Sequence, residues 1–293
     1  MQGFRGRSTI SQRLAAGVIA TLVSGWVAVA VGGAARSAPS DDDAGARQGA
    51  AFHGGGRDAS RTVLHYRGAV DGRTVPDASG AGNPGRLLTG RGGKVLSARS
   101  GRHGRYLRFT GTTCARRAGC PWAAVVVRRA GDPEGAAGPD GDPLGRQDFS
   151  FGARVRLTAM PGRDGMTVIR RGDADGGEPQ WSLEVDDGRV SCRWSDGDRA
   201  VVLPEDLGRS VALELGRWYA LACSRHGARF GLTVTDPVSA WSLGTYSEVV
   251  EGVGQRRPRG PITIGAGGVS NERDGGVTAP FHGDLDEIMV RSG

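Results

Sequence analysis

The chain has 293 residues, 38 Lys and Arg against 31 Asp and Glu, a net charge of +7 and a mean hydropathy of −0.32. Lys94 is the only lysine, the arginines are dispersed, and no basic stripe alternates with aromatics, which argues against a nucleic-acid binder. One long apolar run is present, so a polytopic membrane protein is excluded and the rest of the chain reads as soluble.

That run stands at the start. MQGFRGR carries Arg5 and Arg7, Arg13 follows, and residues 14–31, LAAGVIATLVSGWVAVAV, hold no charge. Gly32, Gly33, Ala34 and Ala35 lead out of it. A basic n-region, an apolar h-region and a small-residue exit predict a secretory signal peptide over 1–35. The run also reaches the lower limit of about 17 residues for a spanning helix, so an uncleaved anchor is the alternative. Either way the bulk of the chain is expected outside the cytoplasm, as a secreted protein. Cleavage removes three arginines and no acid, leaving +4. Residues 36–60 are Gly, Ala and Asp with hardly a large apolar side chain. Such a stretch buries too little surface to offset its ordering entropy, and it reads as a flexible linker. Residues 61–293 show no further linker and no repeat, which predicts a single domain.

Within that domain the period is two. DFSFGARVRL places Phe149, Phe151, Ala153, Val155 and Leu157 on one face and Ser150, Gly152, Arg154 and Arg156 on the other. QWSLEV and ARFGLTV alternate likewise. TVLHY (62–66), RYLRFT (105–110), WAAVVV (122–127), MTVIR (166–170), RVSCRW (189–194), SVALEL (210–215), RWYALAC (217–223) and PITIG (261–265) are further expected strands. Asp-Gly and other turn pairs separate them, and no stretch after residue 35 has a helical period. The pattern predicts an all-β fold, an antiparallel β-sandwich of the jelly-roll kind.

Four cysteines, Cys114, Cys120, Cys192 and Cys223, lie in the exported part. An even count there predicts two disulfides, with three possible pairings. Cys192 and Cys223 alternate in phase with apolar neighbours, so both sulfurs should point into the core. Cys114 and Cys120 bracket a tight loop. The favoured pairing is 114–120 with 192–223; a long-range swap is the alternative. No cysteine or histidine spacing suits zinc.

Four stretches, taken in order, resemble a secreted laminin-G-like domain of the concanavalin A-like lectin/glucanase superfamily, in the form common in actinobacterial extracellular proteins. They are TVLHYRGAVDGRTVPDASGAGNPGRLL (62–88); DFSFGARVRL with MTVIRRGD and QWSLEVDDGRVSCRW; LGRWYALACSRHGARFGLTV; and PITIG with the final FHGDLDEIMV. The last is similar to the family's F-x-G-x-I-D-E-V closing strand. The resemblance implies two antiparallel sheets with the first and last strands side by side. It leaves function open, because lectins, adhesion modules, Ca²⁺-dependent binders and glycoside hydrolases share the fold.

FHGDLDEIMV (281–290) concentrates three carboxylates, Asp284, Asp286 and Glu287. A retaining glucanase needs two carboxyls about 5–5.5 Å apart on one face. Strict alternation puts Asp284 and Asp286 together, continues that face into Ile288 and Val290, and turns Glu287 away. The position a third acid would need is Met289, so catalysis is not expected. The structural alternative is that Leu285, Ile288 and Val290 pack while the acids cap turns or pair with Arg. A cation site at Asp284 and Asp286 is a lesser reading. The acidic turns at 131–145, 173–178, 186–188 and 195–198 are other places for one Ca²⁺, although Asp-Gly is first a hairpin turn. His65 and His282 become neighbours only if the first and last strands bring them together. The RGD at 171–173 reads as composition.

Five tryptophans follow the signal region. Trp181 and Trp218 take core-phase positions, leaving Trp122, Trp194 and Trp241 less constrained. A sugar-binding surface would need an exposed aromatic platform. Trp241 and Tyr246, in SAWSLGTYSEV, are its best candidates, with Trp194 next. The expected function is a secreted, non-catalytic binding module for glycan or a cell-surface polymer. The alternatives are a glycoside hydrolase with an unusual site, and a structural or protein-adhesion domain without a small ligand.

Overall fold

The computed structural model describes residues 61–101, 103–111, 121–128, 148–162, 164–172, 177–269 and 277–293. All belong to one unit, Ala46–Gly293. The expected signal peptide and linker, and Cys114 and Cys120, lie outside the described residues.

Eighteen strands follow in order: β1 (Arg61–Tyr66), β2 (Thr74–Val75), β3 (Gly85–Gly90), β4 (Lys94–Ser100), β5 (Gly104–Thr110), β6 (Trp122–Val127), β7 (Phe149–Leu157), β8 (Met166–Arg171), β9 (Pro179–Asp186), β10 (Arg189–Asp196), β11 (Ala200–Leu203), β12 (Trp218–His226), β13 (Arg229–Thr235), β14 (Ser242–Val249), β15 (Ile262–Ile264), β16 (Gly268–Val269), β17 (Val277–Thr278) and β18 (Gly283–Ser292). One sheet runs β14-β13-β12-β7-β18-β5-β4, with β1 also on β18; the second runs β11-β10-β9-β8-β15-β6-β3-β2. The pairings are antiparallel, and β1 lies beside β18, so the first and last strands are neighbours. The protein is an antiparallel β-sandwich jelly roll.

Alternation builds the core. Phe149, Phe151, Ala153, Val155 and Leu157 of β7 are all buried in it. They meet Trp181, Leu183 and Val185 of β9 and Trp194 of β10 from the second sheet. The Phe151 and Trp181 rings are 4.3 Å apart, and Trp194 lies 5.0 Å from Phe230. Cys192 of β10 and Cys223 of β12 are fully buried and form a disulfide that ties one sheet to the other. Closing a loop of this length stabilises the fold by roughly 3–4 kcal/mol in the chain-entropy picture.

Two expectations fail here. SVALEL is not a strand: Ser210–Leu215 makes only the isolated bridge Arg189↔Ala212. The edge of β10 is already taken by β11 from Cys192 to Ser195, which leaves only its first three residues, and of these Arg189 bridges Ala212. Trp218 is buried, but outside the core. It opposes Arg156, not Val155, and so sits on the outer face of the first sheet.

Candidate functional site

Two places carry the functional residues: the outer face of the first sheet at β18, and one end of that sheet beside Trp241.

At β18 the register decides which way each acid points. Asp284 opposes Arg108 of β5 on one side and Arg156 of β7 on the other, so a row Arg108–Asp284–Arg156–Trp218 crosses four adjacent strands. Asp284 is wholly buried. Its Oδ1 accepts from Arg108 Nε at 2.8 Å, and its Oδ2 accepts from Arg156 Nη2 at 2.5 Å. Both guanidinium groups also donate to the Tyr106 hydroxyl, at 2.9 and 3.2 Å. Arg156 lies over the Tyr106 and Trp218 rings. The carboxylate is thus neutralised from both flanks, and its oxygens are already engaged by donors.

Beyond Asp284 the strand departs from strict alternation. A bulge intervenes between Asp286 and Met289, with Glu287 at φ +46°. The inserted residue returns Ile288 and Val290 to the core beside Leu285 and puts Met289, not Ile288, next on the outer face. Glu287 therefore does not point away from the other acids. Its carboxylate accepts from His65 Nε2 at 2.7 Å and faces Arg67 at 3.4 Å. Burial raises the Glu287 carboxyl, but the bond to His65 and the charges of His65, Arg67 and Arg154 outweigh it and hold the group below its ordinary range. Asp286 opposes Arg154 and is almost wholly buried. Burial pushes it up to about 6, helped by the charge of Glu287 and opposed by the Glu287 backbone N–H, Arg154 and Arg67.

The second place is the turn between β13 and β14. Asp236 Oδ1 accepts from Val238 N at 2.9 Å and Ser239 N at 3.0 Å, while Asp236 N donates to Trp241 O at 3.0 Å. Ala240 closes the turn at φ +58°. Arg217, from the turn before β12, donates to Asp236 Oδ2 at 3.1 Å. The Ser239 N–H first, then Arg217 and the Val238 N–H, pull the Asp236 carboxyl down to about 2, so it stays a charged brace. What the brace holds out is apolar: Val238 is 81% exposed and Trp241 76%.

More apolar side chains stand at the same end. Leu157, Trp218, Thr235, Ser242 and Gly283 are the strand termini there, as the pairings require. Gly216 N donates to Leu157 O, joining the turn that carries exposed Leu215 to the loop that carries exposed Met160. Of the seven exposed large hydrophobic residues described, Met160, Leu215, Val238, Trp241 and Leu243 are at this end; only Leu96 and Val249 are elsewhere. Polar groups rim the patch: Arg217 with Glu214, and Ser242 Oγ at 3.0 Å from Thr245 Oγ1.

The other expected site residues fall differently. Trp194 is no platform: it is buried between Phe151 and Phe230, because its phase on β10 is that of Cys192. Tyr246 is half-buried against the core, and its hydroxyl donates to Arg209 O at 2.9 Å, so it braces the Trp241 end rather than offering a ring face. Asp284 does not present itself to a cation, since two guanidinium groups hold it. Among the described residues no three His, Cys, Asp or Glu side chains gather as a metal site. Asp196 instead accepts from Arg256 N, and Asp187 is the φ +49° residue of a hairpin. His65 opposes Met289, far along β18 from His282, so the two histidines are not neighbours. Arg171 of the RGD is buried and donates to Pro258 O. A cavity of about 160 Å³ on the second sheet is lined by Pro84, Arg86, Leu88, Val126 and Arg128, with no carboxylate among them. The β7 arginines opposite Asp284 and Asp286 had a sequence signal, the outward Arg156 and Arg154 of DFSFGARVRL. The aliphatic companions of Trp241 had a fainter one, Val238 within the Asp-Pro turn DPVSAW.

Solved structures with a similar chain path have low identity to this protein. The LG1-3 region of the laminin alpha2 chain matches at 15% identity and a TM-score of 0.42, over 57% of this chain and 29% of that one. The binding domain of botulinum neurotoxin serotype G matches at 11% and 0.47, over 78% and 47%. A protein of unknown function from Shewanella oneidensis matches at 13% and 0.46, over 78% and 85%. The chain spans less than half the length of the laminin and neurotoxin chains it matches. No family model and no curated protein matches the sequence.

Proposed function

We propose that this protein is a secreted, non-catalytic binding module whose domain, residues 61–293, recognises a glycan or cell-surface polymer at the Trp241 end. On this reading residues 1–35 are a cleaved signal peptide and 36–60 a linker. The buried Cys192–Cys223 disulfide supports a compartment outside the reducing cytoplasm. One observation carries the binding reading: an indole 76% exposed on a turn locked by Asp236 and Arg217. A rigid aromatic face can stack on a pyranose at little entropic cost, and the rim of Arg217, Glu214, Ser242 and Thr245 supplies donors and acceptors for hydroxyls. Probing a polysaccharide array with the purified chain tests it. Binding that falls about tenfold or more in Trp241→Ala supports the proposal. A chain that binds no polysaccharide sinks it.

The aliphatic neighbours of Trp241 favour a second reading, adhesion to a protein. Capture of an extracellular partner that free sugars do not compete away, yet Trp241→Ala abolishes, would select it. Hydrolysis has less support. Asp286 is raised beside an ionised Glu287, but Asp286 is buried and Glu287 is engaged by His65 and Arg67.

A further inference from the structure

An open sheet edge is a row of unpaired backbone donors and acceptors, and proteins blunt such edges with shortness, charge, Pro or cover. Four of the five edges of the two large sheets are blunted. β2 has two residues and β11 four. β4 carries Lys94 and Arg99. The free side of β1 is covered by the following loop: His65 N donates to Asp77 Oδ1, and Val63 O accepts from Asn83 Nδ2. β14 has none of these devices. Its eight residues, SLGTYSEV, contain no Lys, Arg or Pro and a single charge, Glu248. Among the described strands it pairs only with β13, and six of its eight residues are exposed. A bulge at its start leaves Gly244–Val249 in regular register.

We propose that β14 pairs antiparallel with β14 of a second copy of this chain, about a two-fold axis at Tyr246. The backbone phase permits it. Val250 N donates to Ala228 O, so by the alternation of an antiparallel ladder Gly244, Tyr246 and Glu248 bond to β13. Thr245, Ser247 and Val249 then turn their N–H and C=O groups outward. Centring the pair on Tyr246 sets Thr245 opposite the partner's Ser247, each bonding the other. The side chains are self-complementary in that register. In the regular segment exposed Thr245 and Ser247 face their counterparts across the axis, and exposed Val249 reaches the partner's bulge at Leu243. Glu248, the one charge, meets the partner's Gly244, which has no side chain to oppose it. Thr245 also rims the Trp241 end, so Ser247→Lys, which lies outside that rim, is the variant that tests this interface separately from the proposed binding site.

The experiment is light scattering of the full chain at micromolar concentration, with Thr245→Pro and Ser247→Lys beside it. The expected result is twice the monomer mass for the parent chain and the monomer mass for both variants. Thr245→Pro removes an outward N–H and leaves the β13 ladder intact; Ser247→Lys is a second disruption that does not constrain the backbone, should proline impair folding. Register is read by mixing Thr245→Cys chains with Ser247→Cys chains under mild oxidation. Opposed Cα atoms about 5.5 Å apart are within disulfide reach, so a linked dimer is expected in the mixture and not from Thr245→Cys alone. A monomeric parent chain overturns the proposal. So does a dimer that persists in both variants, or a mixture that fails to crosslink.

Discussion

On the face of β18, three carboxylates sit among Arg67, Arg108, Arg154, Arg156 and His65, and the wholly buried Asp284 is paired on both flanks. At the end of the same sheet, an indole and a valine stand in solvent, and Asp236 with Arg217 braces the turn that presents them. Residue types that draw attention as chemistry are absorbed into structure in the first region. In the second, residue types that ordinarily fill a core are held outside it. A buried charge without its partner is costly, so neutralised acids on a sheet face are what stability demands. An apolar cluster held open by a rigid turn has no such structural motive.

The comparison breaks first at Asp284. Asp284→Ala leaves Arg108 and Arg156 without the anion they share, and about 3 kcal/mol of stability should vanish in chemical denaturation. A loss below about 1 kcal/mol would mean that the face is not built around this carboxylate.

Asp286 sharpens it through pH. Its folded pKa of about 6 lies above its ordinary 3.8, so the folded state holds the proton more tightly. The resulting stability is complete below about pH 4 and is lost as pH rises through 6. Asp286→Asn should therefore be more stable than the parent chain at pH 7, by about 2 kcal/mol, and the gap should close by pH 4. Melting curves at the two pH values check the sign.

Asp236→Ala removes the acceptor for two backbone N–H groups and for Arg217. Stability should fall by only about 1 kcal/mol, because the turn is exposed, while ligand binding falls as the indole loses its fixed direction. The smallest effect is expected where binding matters most. Trp241→Ala should leave stability within about 0.5 kcal/mol, since the side chain is 76% exposed, yet abolish retention on the ligand. A melting temperature that drops sharply instead would make Trp241 a structural residue and cancel the contrast.

How much of this could be read beforehand varies by residue. WAAVVV was expected at 122–127 and forms β6 over those residues, because a buried central strand announces itself as a continuous apolar run. The disulfide partners Cys192 and Cys223 followed from phase. β14 was harder to see: Gly244 and three serines or threonines lower its strand character, and its outward face is fully solvated. SVALEL misled for the opposite reason, since it alternates well but finds no free edge.

Period-two alternation, read along the chain, was sufficient to establish an all-β sandwich, because the two faces of each strand meet different solvents and the sequence must record that. It also identified Trp241 as a ring worth watching. The direction of Glu287 lay beyond it: a single bulge residue at φ +46° reverses every following side chain, and no local composition marks that position. Which acids meet which arginines was decided in the same way, by β5 and β7 flanking β18 from more than a hundred residues away in the chain. Tertiary pairing made Asp284 a neutralised strut, and the crowding of four other apolar side chains at one end of the sheet made Trp241 a candidate surface.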